Sequence, residues 1–359
     1  MDAPGGFRGY AEVLFLPRIF NPKTMRKTAI LMCAAVLLCL TGCRHKNQHN
    51  KLDNNENSVY FWRTWYSPND YEKRFLADND IQTMYIRFFD VEPNLDWNAQ
   101  EKCKPVATIM FPDDEPLSNF NIVPVVFITP DAIKEYASFT DPLAHRIYAM
   151  CVKNNIEIKE VQFDCDWTTS TREAYFHFLV DVRKVLKTYF VKDIALSSTI
   201  RLHQLAQTPP AVDYGVLMCY NTGDFKDFNT RNAILDSKDV QPYVKYLKDY
   251  ALPLKLALPV YSWDVEFNGN KSFVRLNRSY PNHDISNLKS LGNGMYEIPG
   301  DVPENAVKYI RHEAVSAETI LDVKSLVEKE YGEMPIVLYH LDSVQLSKYN
   351  NDEIEAFFD

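Results

Sequence analysis

The sequence predicts an α/β protein folded as a (β/α)8 TIM barrel with an insertion between its seventh and eighth strands. Eight apolar runs of strand length recur along the chain, and stretches with helical periodicity separate most of them. A long stretch without a barrel strand, residues 264–313, precedes the last run. The eight runs cover residues 58–65, 83–91, 121–129, 158–167, 193–202, 213–222, 254–263 and 334–343.

The segments between the runs supply the helices of the pattern. Residues 142–155 precede the fourth run and residues 170–190 follow it, both with apolar residues at helical spacing. A doubly wound open sheet is the rival fold, but it usually carries a glycine-rich phosphate loop after its first strand. Neither G-x-G-x-x-G nor G-x-x-x-x-G-K-[ST] occurs among the 11 glycines, so we expect no nucleotide partner and no cofactor.

The stretch 264–313 is longer than a standard connection between barrel elements. A structureless loop of this size inside a compact domain is uncommon, so we expect an inserted subdomain or a long lid. The barrel domain with this insertion is expected to span residues 58–359.

The N-terminal segment 25–43, MRKTAILMCAAVLLCLTGC, resembles a bacterial lipoprotein signal peptide. Two basic residues, Arg26 and Lys27, precede an apolar stretch that ends in small residues and Cys43. The resemblance implies that residues 1–42 are removed and that Cys43 is lipidated, with Met25 as an alternative start of translation. A transmembrane anchor is the other interpretation, but an apolar core of ~12 residues is short of the ~20 that span a bilayer.

Residues 43–57 are polar and predict a flexible tether between the lipid and the barrel. We therefore expect a protein of the bacterial cell envelope, attached to the outer membrane through its N-terminal lipid. The formal net charge of −9 disfavours nucleic acid as a partner.

The cysteines behind the tether predict neither a zinc site nor a required disulfide. No C-x-x-C or Cys/His cluster occurs, and we expect no bound metal, although Asp-Cys-Asp at 164–166 leaves a divalent ion as an open alternative. The four positions are Cys103, Cys151, Cys165 and Cys219.

The fourth run ends in two carboxylates, at the place where a TIM barrel carries its active site. Side chains alternate along a strand, which puts Gln162, Asp164 and Asp166 on one face and Cys165 on the other. Such a pair can serve catalysis, or it can simply cap a helix or pair with Arg172 or Arg201.

These residues resemble the fourth strand of family-18 glycoside hydrolases, whose motif is Asp-x-x-Asp-x-Asp-x-Glu with a tryptophan before the glutamate. Asp164, Asp166 and Trp167 match the second aspartate, the third aspartate and the tryptophan. Val161 and Thr168 stand where the first aspartate and the glutamate would be.

Later strands continue the resemblance in the family's order. The family carries Met-x-Tyr-Asp on its sixth strand, Leu-Pro-x-Tyr on its seventh and Trp-x-x-Asp at the end of its eighth. The matching segments here are Met218-Cys219-Tyr220-Asn221, Leu258-Pro259-Val260-Tyr261 and Tyr339-His340-Leu341-Asp342.

The resemblance implies a protein that acts on glycans containing N-acetylglucosamine or related sugars, with Asp166, Asp164 and Tyr220 as catalytic candidates. It implies that Asp166 stabilises the acetamido group that attacks the anomeric carbon, and that Tyr220 hydrogen-bonds to that group. The missing glutamate is the general acid, and the Thr168 hydroxyl cannot supply a proton near neutral pH as a carboxylic acid can.

Two explanations of the missing acid remain open. The barrel is either a glycan-binding protein without turnover, or a hydrolase whose acid comes from another strand end. The candidate acids are Asp90, Glu92, Asp264, Glu266 and Asp342.

Polar and aromatic residues at the strand ends complete the predicted binding site. Sugar rings present apolar C–H faces to aromatic planes, although each aromatic residue could equally belong to the core. The candidates for substrate binding are Asn221, Trp167, Thr168, Arg201, Tyr261, Trp263, Tyr339 and Asp342.

Overall fold

The computed structural model describes residues 52, 56–96, 98–112, 117, 120–278 and 284–359. The signal peptide, Cys43 and most of the predicted tether lie outside these residues. Within the described part of the chain, no helix is both long and apolar enough to cross a membrane.

Eight parallel strands form the body of the protein, and each lies within one of the eight predicted runs or extends it by up to two residues. They are β1 (Asn57–Phe61), β2 (Ile81–Pro93), β4 (Asn121–Ile128), β5 (Glu160–Asp164), β6 (Ala195–Arg201), β7 (Tyr214–Met218), β8 (Leu254–Pro259) and β14 (Ile336–Tyr339).

The sheet closes on itself because β1 pairs with both the second and the last barrel strand. Ser58 is in register with Thr83 of β2 on one side and with Val337 of β14 on the other. The order around the barrel is β1-β2-β4-β5-β6-β7-β8-β14, which confirms the predicted TIM barrel.

Alternation along the strands divides the buried residues into two cores. An outer core lies between the sheet and the helices, where Phe139 of one helix packs 5.8 Å from Phe178 of the next. A smaller core fills the barrel interior. Its members are Tyr60, Tyr85, Val123, Val125, Tyr214, Val216, Met218, Tyr220, Ala257 and Val337.

The described helices differ more in length than those of an ideal barrel, in which a helix follows each strand. The helices predicted over residues 142–155 and 170–190 are present as the two longest, α2 (Tyr136–Lys153) and α3 (Arg172–Phe190). The described helices are α1 (Asp70–Asp78), α2 (Tyr136–Lys153), α3 (Arg172–Phe190), α4 (Ser237–Val244), α5 (Ala317–Tyr331), α6 (Ser343–Leu346) and α7 (Asn351–Phe358).

The predicted insertion between the seventh and eighth barrel strands forms an antiparallel sheet of its own, in the order β10-β9-β13-β12-β11. Its first strand begins three residues after β8 ends, so the sheet rises from the carboxyl end of the barrel. The strands are β9 (Ser262–Asn268), β10 (Phe273–Asn277), β11 (Lys289–Gly292), β12 (Met295–Glu297) and β13 (Val307–Ala314); a short β3 (Cys103–Val106) pairs with the end of β2.

Candidate functional site

A cleft of about 670 Å³ opens at the carboxyl ends of the barrel strands. This is the end where TIM barrels place their active sites, because the loops that follow the strands meet there. The cleft brings together nine of the predicted site residues: Asp164, Asp166, Arg201, Tyr220, Asn221, Tyr261, Trp263, Tyr339 and Asp342.

Asp164 lies at the bottom of the cleft and is only 3% exposed. Its Oδ1 accepts a hydrogen bond from Thr199 Oγ1 at 2.6 Å and lies 3.3 Å from Arg201 Nη2. Burial raises the pKa of Asp164 to about 6, against the opposing effect of the Arg201 charge, and the nearby Asp166 raises it further. Asp164 is therefore a carboxyl group that takes up a proton in mildly acidic solution.

Arg201 holds both aspartates of the fourth barrel strand. Its Nε donates to Oδ1 of Asp166, while its Nη2 reaches Asp164. The guanidinium is well covered, but the Asp166 side chain remains 48% exposed at the cleft surface. The arrangement leaves Asp166 as a neutralised carboxylate with one side open to a ligand.

Aromatic rings form one wall of the cleft. Tyr220 and Tyr339 stack with ring centroids 4.9 Å apart and an interplanar angle of 29°, and Tyr261 meets both rings edge-on. The Tyr261 hydroxyl donates to Asn221 Oδ1 at 2.8 Å, and Asn221 takes up a left-handed backbone conformation with φ of 53°. The wall is therefore held by both stacking and a hydrogen bond.

The Tyr220 hydroxyl is buried and has no hydrogen-bond partner among the described residues. A buried hydroxyl without a partner costs free energy, on the order of 1–3 kcal/mol. Other atoms of Tyr220 line the cleft.

Trp263 belongs to the same wall through the inserted sheet. Its indole Nε1 donates to Glu313 Oε2 at 2.5 Å, which fixes the ring against β13. The Arg278 guanidinium lies 5.8 Å from the ring centroid, within the range of a cation–π contact. Arg278 also lines the cleft.

Two predicted binding residues are not brought to the cleft. Trp167 is completely buried and packs edge-on against Phe176, because alternation along the chain turns it to the side opposite Asp164 and Asp166. Thr168 lies in an exposed turn before α3, where its Oγ1 is 2.9 Å from Ser170 Oγ, and it lines a smaller side pocket.

The candidate acids divide into two groups. Asp90 and Asp342 line the cleft; Asp90 is paired with Arg87, and Asp342 accepts the backbone N–H of Gln345 at 3.1 Å. The other three, Glu92, Asp264 and Glu266, do not line it: Glu92 is exposed beside β3, and the last two are buried in β9, facing His312 and Arg275.

The cleft residues that were not predicted as binding residues include Trp62, Arg87, Arg278 and His340. Trp62 directly follows β1, so inspection of every strand end would have found it. Arg87 lies inside β2, where the pairing with β4 is irregular, and Arg278 belongs to the insertion. Neither position follows from a strand-end rule.

Comparison with solved structures supports the barrel assignment. A family GH18 chitinase from Cycas revoluta in complex with (GlcNAc)3 aligns with a TM-score of 0.50 and 11% identity, covering 84% of this chain and 98% of that chain. The complex of a Cycas revoluta GH18 chitinase with allosamidin gives the same values. A chitinase from Chromobacterium violaceum has a TM-score of 0.49 and 13% identity over 83% of this chain and 96% of that chain.

No protein-family model matches the chain, and no curated protein sequence is significantly similar to it. At this level of identity the structural similarity establishes the fold. The protein is a TIM barrel with a cleft at the carboxyl ends of its strands. More particularly, its barrel resembles those of the GH18 chitinases with which it aligns.

Proposed function

We propose that the cleft binds a glycan containing N-acetylglucosamine or a related sugar, without hydrolysing it by the acetamido-assisted route. The observation that carries the proposal is the double ion pair of Arg201 with Asp164 and Asp166. An aspartate whose charge is already matched stabilises a developing positive charge on the acetamido group less well than a free carboxylate does.

The aromatic side chains of the cleft suit a sugar ring. Tyr339, Tyr261 and Trp62 offer aromatic faces or edges, and the Tyr339 and Trp62 centroids are 5.7 Å apart. The unpartnered hydroxyl of Tyr220 offers a hydrogen bond in the depth of the cleft. Apolar walls with a few convergent polar groups are typical of small-molecule and glycan sites.

The position matched to the family's general acid argues against turnover. Thr168 is a hydroxyl residue in an exposed turn, outside the main cleft. Loss of general acid catalysis typically slows a reaction by about 10²- to 10⁴-fold. The proposed protein therefore retains the recognition part of a hydrolase site without its proton donor.

Hydrolysis by a different acid is the second candidate function, and one observation favours it. Asp164 has a pKa of about 6 because it is buried, so it carries a proton in mildly acidic solution. Asp90 and Asp342 line the same cleft and could act as the second carboxylate of a two-carboxylate mechanism.

One assay separates the two functions. The purified protein is titrated with N-acetylglucosamine tetramer and with N-glycans at pH 5.5 and pH 7.5, while binding is followed by calorimetry and sugar release by chromatography. We expect binding without release at both values of pH, and Asp166→Asn is expected to leave release at zero. Release that disappears in Asp164→Asn would establish the second candidate, and absence of any binding would exclude both.

We also propose that the barrel is tethered to the outer membrane of a bacterial cell envelope through a lipid on Cys43. The support is the pattern of basic, apolar and small residues that ends at this cysteine. Metabolic labelling with a fatty acid tests it: the expressed chain should become labelled and partition into detergent, and Cys43→Ser should abolish both. Labelling that persists in Cys43→Ser excludes this anchor.

A further inference from the structure

Two charged side chains of the cleft, Arg278 and Asp342, have no ion pair among the described residues. Arg87 pairs with Asp90, and Arg201 pairs with Asp164 and Asp166. Arg278 has no ion pair among the described residues. Its guanidinium lies over the face of Trp263 in a cation–π contact.

The fourth carboxylate of the cleft, Asp342, does not form an ion pair with Arg278. It caps α6, where its Oδ1 accepts the N–H of Gln345 at 3.1 Å. Arg278 is thus the guanidinium of the cleft that a ligand carboxylate can pair with.

The charge of Arg278 acts on the interior of the cleft even though its side chain is exposed. Burial raises the pKa of the Tyr339 hydroxyl, and the positive charges of Arg278, Arg87 and Arg201 oppose that rise. Arg278 and Arg201 oppose the rise for Tyr261 in the same way. The positive charges of these guanidinium groups therefore act on the tyrosines of the aromatic wall.

We propose that the glycan bound here carries a carboxylate, which Arg278 binds while the sugar ring contacts the adjoining aromatic wall. The inference rests on the proposed glycan-binding function and specifies its ligand class. A guanidinium presents a planar fork of N–H donors that matches a carboxylate. Trp263 beneath it restricts the orientation of the fork, and the hydrogen bond from Trp263 to Glu313 fixes the ring.

Two sources of a sugar carboxylate are a lactyl ether on the ring and the oxidised C6 of a uronic acid. The test uses one ligand of each type: a disaccharide of N-acetylglucosamine and N-acetylmuramic acid, and a hyaluronan tetrasaccharide. Each is titrated into the purified full chain as the free acid and as its methyl ester, with neutral N-acetylglucosamine tetramer as the reference.

We expect at least one free acid to bind about tenfold more tightly than its ester, as one charge-assisted hydrogen-bonded pair provides. Arg278→Gln should remove this preference, so that the free acid and its ester bind with equal affinity. Arg278→Lys should retain part of it, because the charge stays and the fork is lost. The ligand type that shows the preference identifies the source of the carboxylate.

Lys271→Gln is the matched control. Lys271 belongs to the same insertion and also lies over an aromatic ring, with its Nζ 5.0 Å from the Phe228 centroid, but it does not line the cleft. Its replacement should leave the preference intact, and an equal loss in this control would assign the effect to the general charge of the insertion.

The outcomes distinguish this inference from the proposed function. Binding of the neutral tetramer with no preference for either acid overturns the carboxylate inference alone, since Arg278 is then only a solvated arginine on a tryptophan. Absence of binding for every ligand overturns both.

Discussion

The two ends of the barrel interior differ in how their buried polar groups are satisfied. At the amino-terminal end, the Tyr214 hydroxyl donates to Glu160 at 2.5 Å, and the Tyr85 hydroxyl lies 2.6 Å from that of Tyr214. Lys255 Nζ donates to Glu56 at 2.7 Å. Each of these groups has a partner from another strand or from the segment before β1.

At the carboxyl end, several groups lack a partner among the described residues. The Tyr220 hydroxyl and the His340 Nδ1 are buried without a hydrogen bond, and Arg278 has no ion pair. Buried polar groups with hydrogen-bond partners stabilise the folded protein, whereas groups without a partner beside a cleft are available to a ligand. We therefore expect the polar groups at the amino-terminal end to contribute to stability and those at the carboxyl end to contribute to ligand binding.

The largest effect is expected from Lys255→Met. This change removes a 3% exposed cation and leaves Glu56 and the buried Glu160 without it, which should lower the free energy of unfolding by about 3 kcal/mol. Lys289→Met is the control, because Lys289 is 69% exposed in its pair with Glu297 and should change stability by less than about 0.5 kcal/mol. Urea denaturation measures both. Equal effects of the two substitutions would contradict the structural role of the amino-terminal network.

The second prediction concerns the pH dependence contributed by Asp164. Its folded pKa of about 6 lies above its ordinary value of 3.8, so the folded state binds more protons than the unfolded state between these values. The contribution of this group to stability is complete below about pH 4 and falls as the pH rises to about 6.

Asp164→Asn removes this titration, so its stability relative to the wild type should rise by about 2 kcal/mol between pH 4 and pH 7. Denaturant unfolding of both proteins at four values of pH measures the change. A constant difference across this range would show that the ion pair with Arg201 keeps Asp164 ionised throughout.

The sequence predicts the barrel well because each strand carries a local signal. All eight runs became barrel strands in the predicted order, since a parallel strand buried on both faces is a nearly continuous apolar run. The insertion was predicted from its length, but its strands were not. The turns of this sheet, such as the one around Gly292 and Gly294, are local signals. They do not by themselves predict which strands pair.

The candidate site was predictable only in part, because side-chain partners depend on neighbouring strands. Alternation along β5 predicts which face carries Asp164 and Asp166, and it also excludes Trp167 from the cleft. The sequence alone leaves Arg201 open as a ligand contact or as a partner of the aspartates. Only the register between β5 and β6 brings its guanidinium to both carboxylates.

A smaller effect separates two tyrosines of the same region of the chain. Tyr214→Phe should lower the free energy of unfolding by about 1–2 kcal/mol, because Glu160 loses a donor and Tyr85 loses a partner. Tyr220→Phe should leave stability unchanged or raise it slightly, since its hydroxyl has no partner, but it should weaken glycan binding about tenfold.

Thermal or urea unfolding of the two variants measures the change in stability, and calorimetric titration measures the change in glycan affinity. Glycan binding by folded Tyr214→Phe should equal that of the wild type. If Tyr220→Phe destabilises the protein as much as Tyr214→Phe does, the hydroxyl of Tyr220 belongs to the structural network and the two ends of the barrel do not differ in this respect.

The smallest effect on stability is expected from Thr168→Glu, which places a carboxyl group at the position matched to the family's general acid. Thr168 is exposed in a turn, so the change should shift the free energy of unfolding by no more than about 0.5 kcal/mol. It should also leave the hydrolysis of N-acetylglucosamine tetramer undetectable. The reason is that Asp166 stays bound to Arg201 and cannot support the acetamido group as a free carboxylate would. Sugar release by the single variant would show that only the missing acid separates this cleft from a hydrolase active site. It would also show that the substrate displaces Arg201 from Asp166.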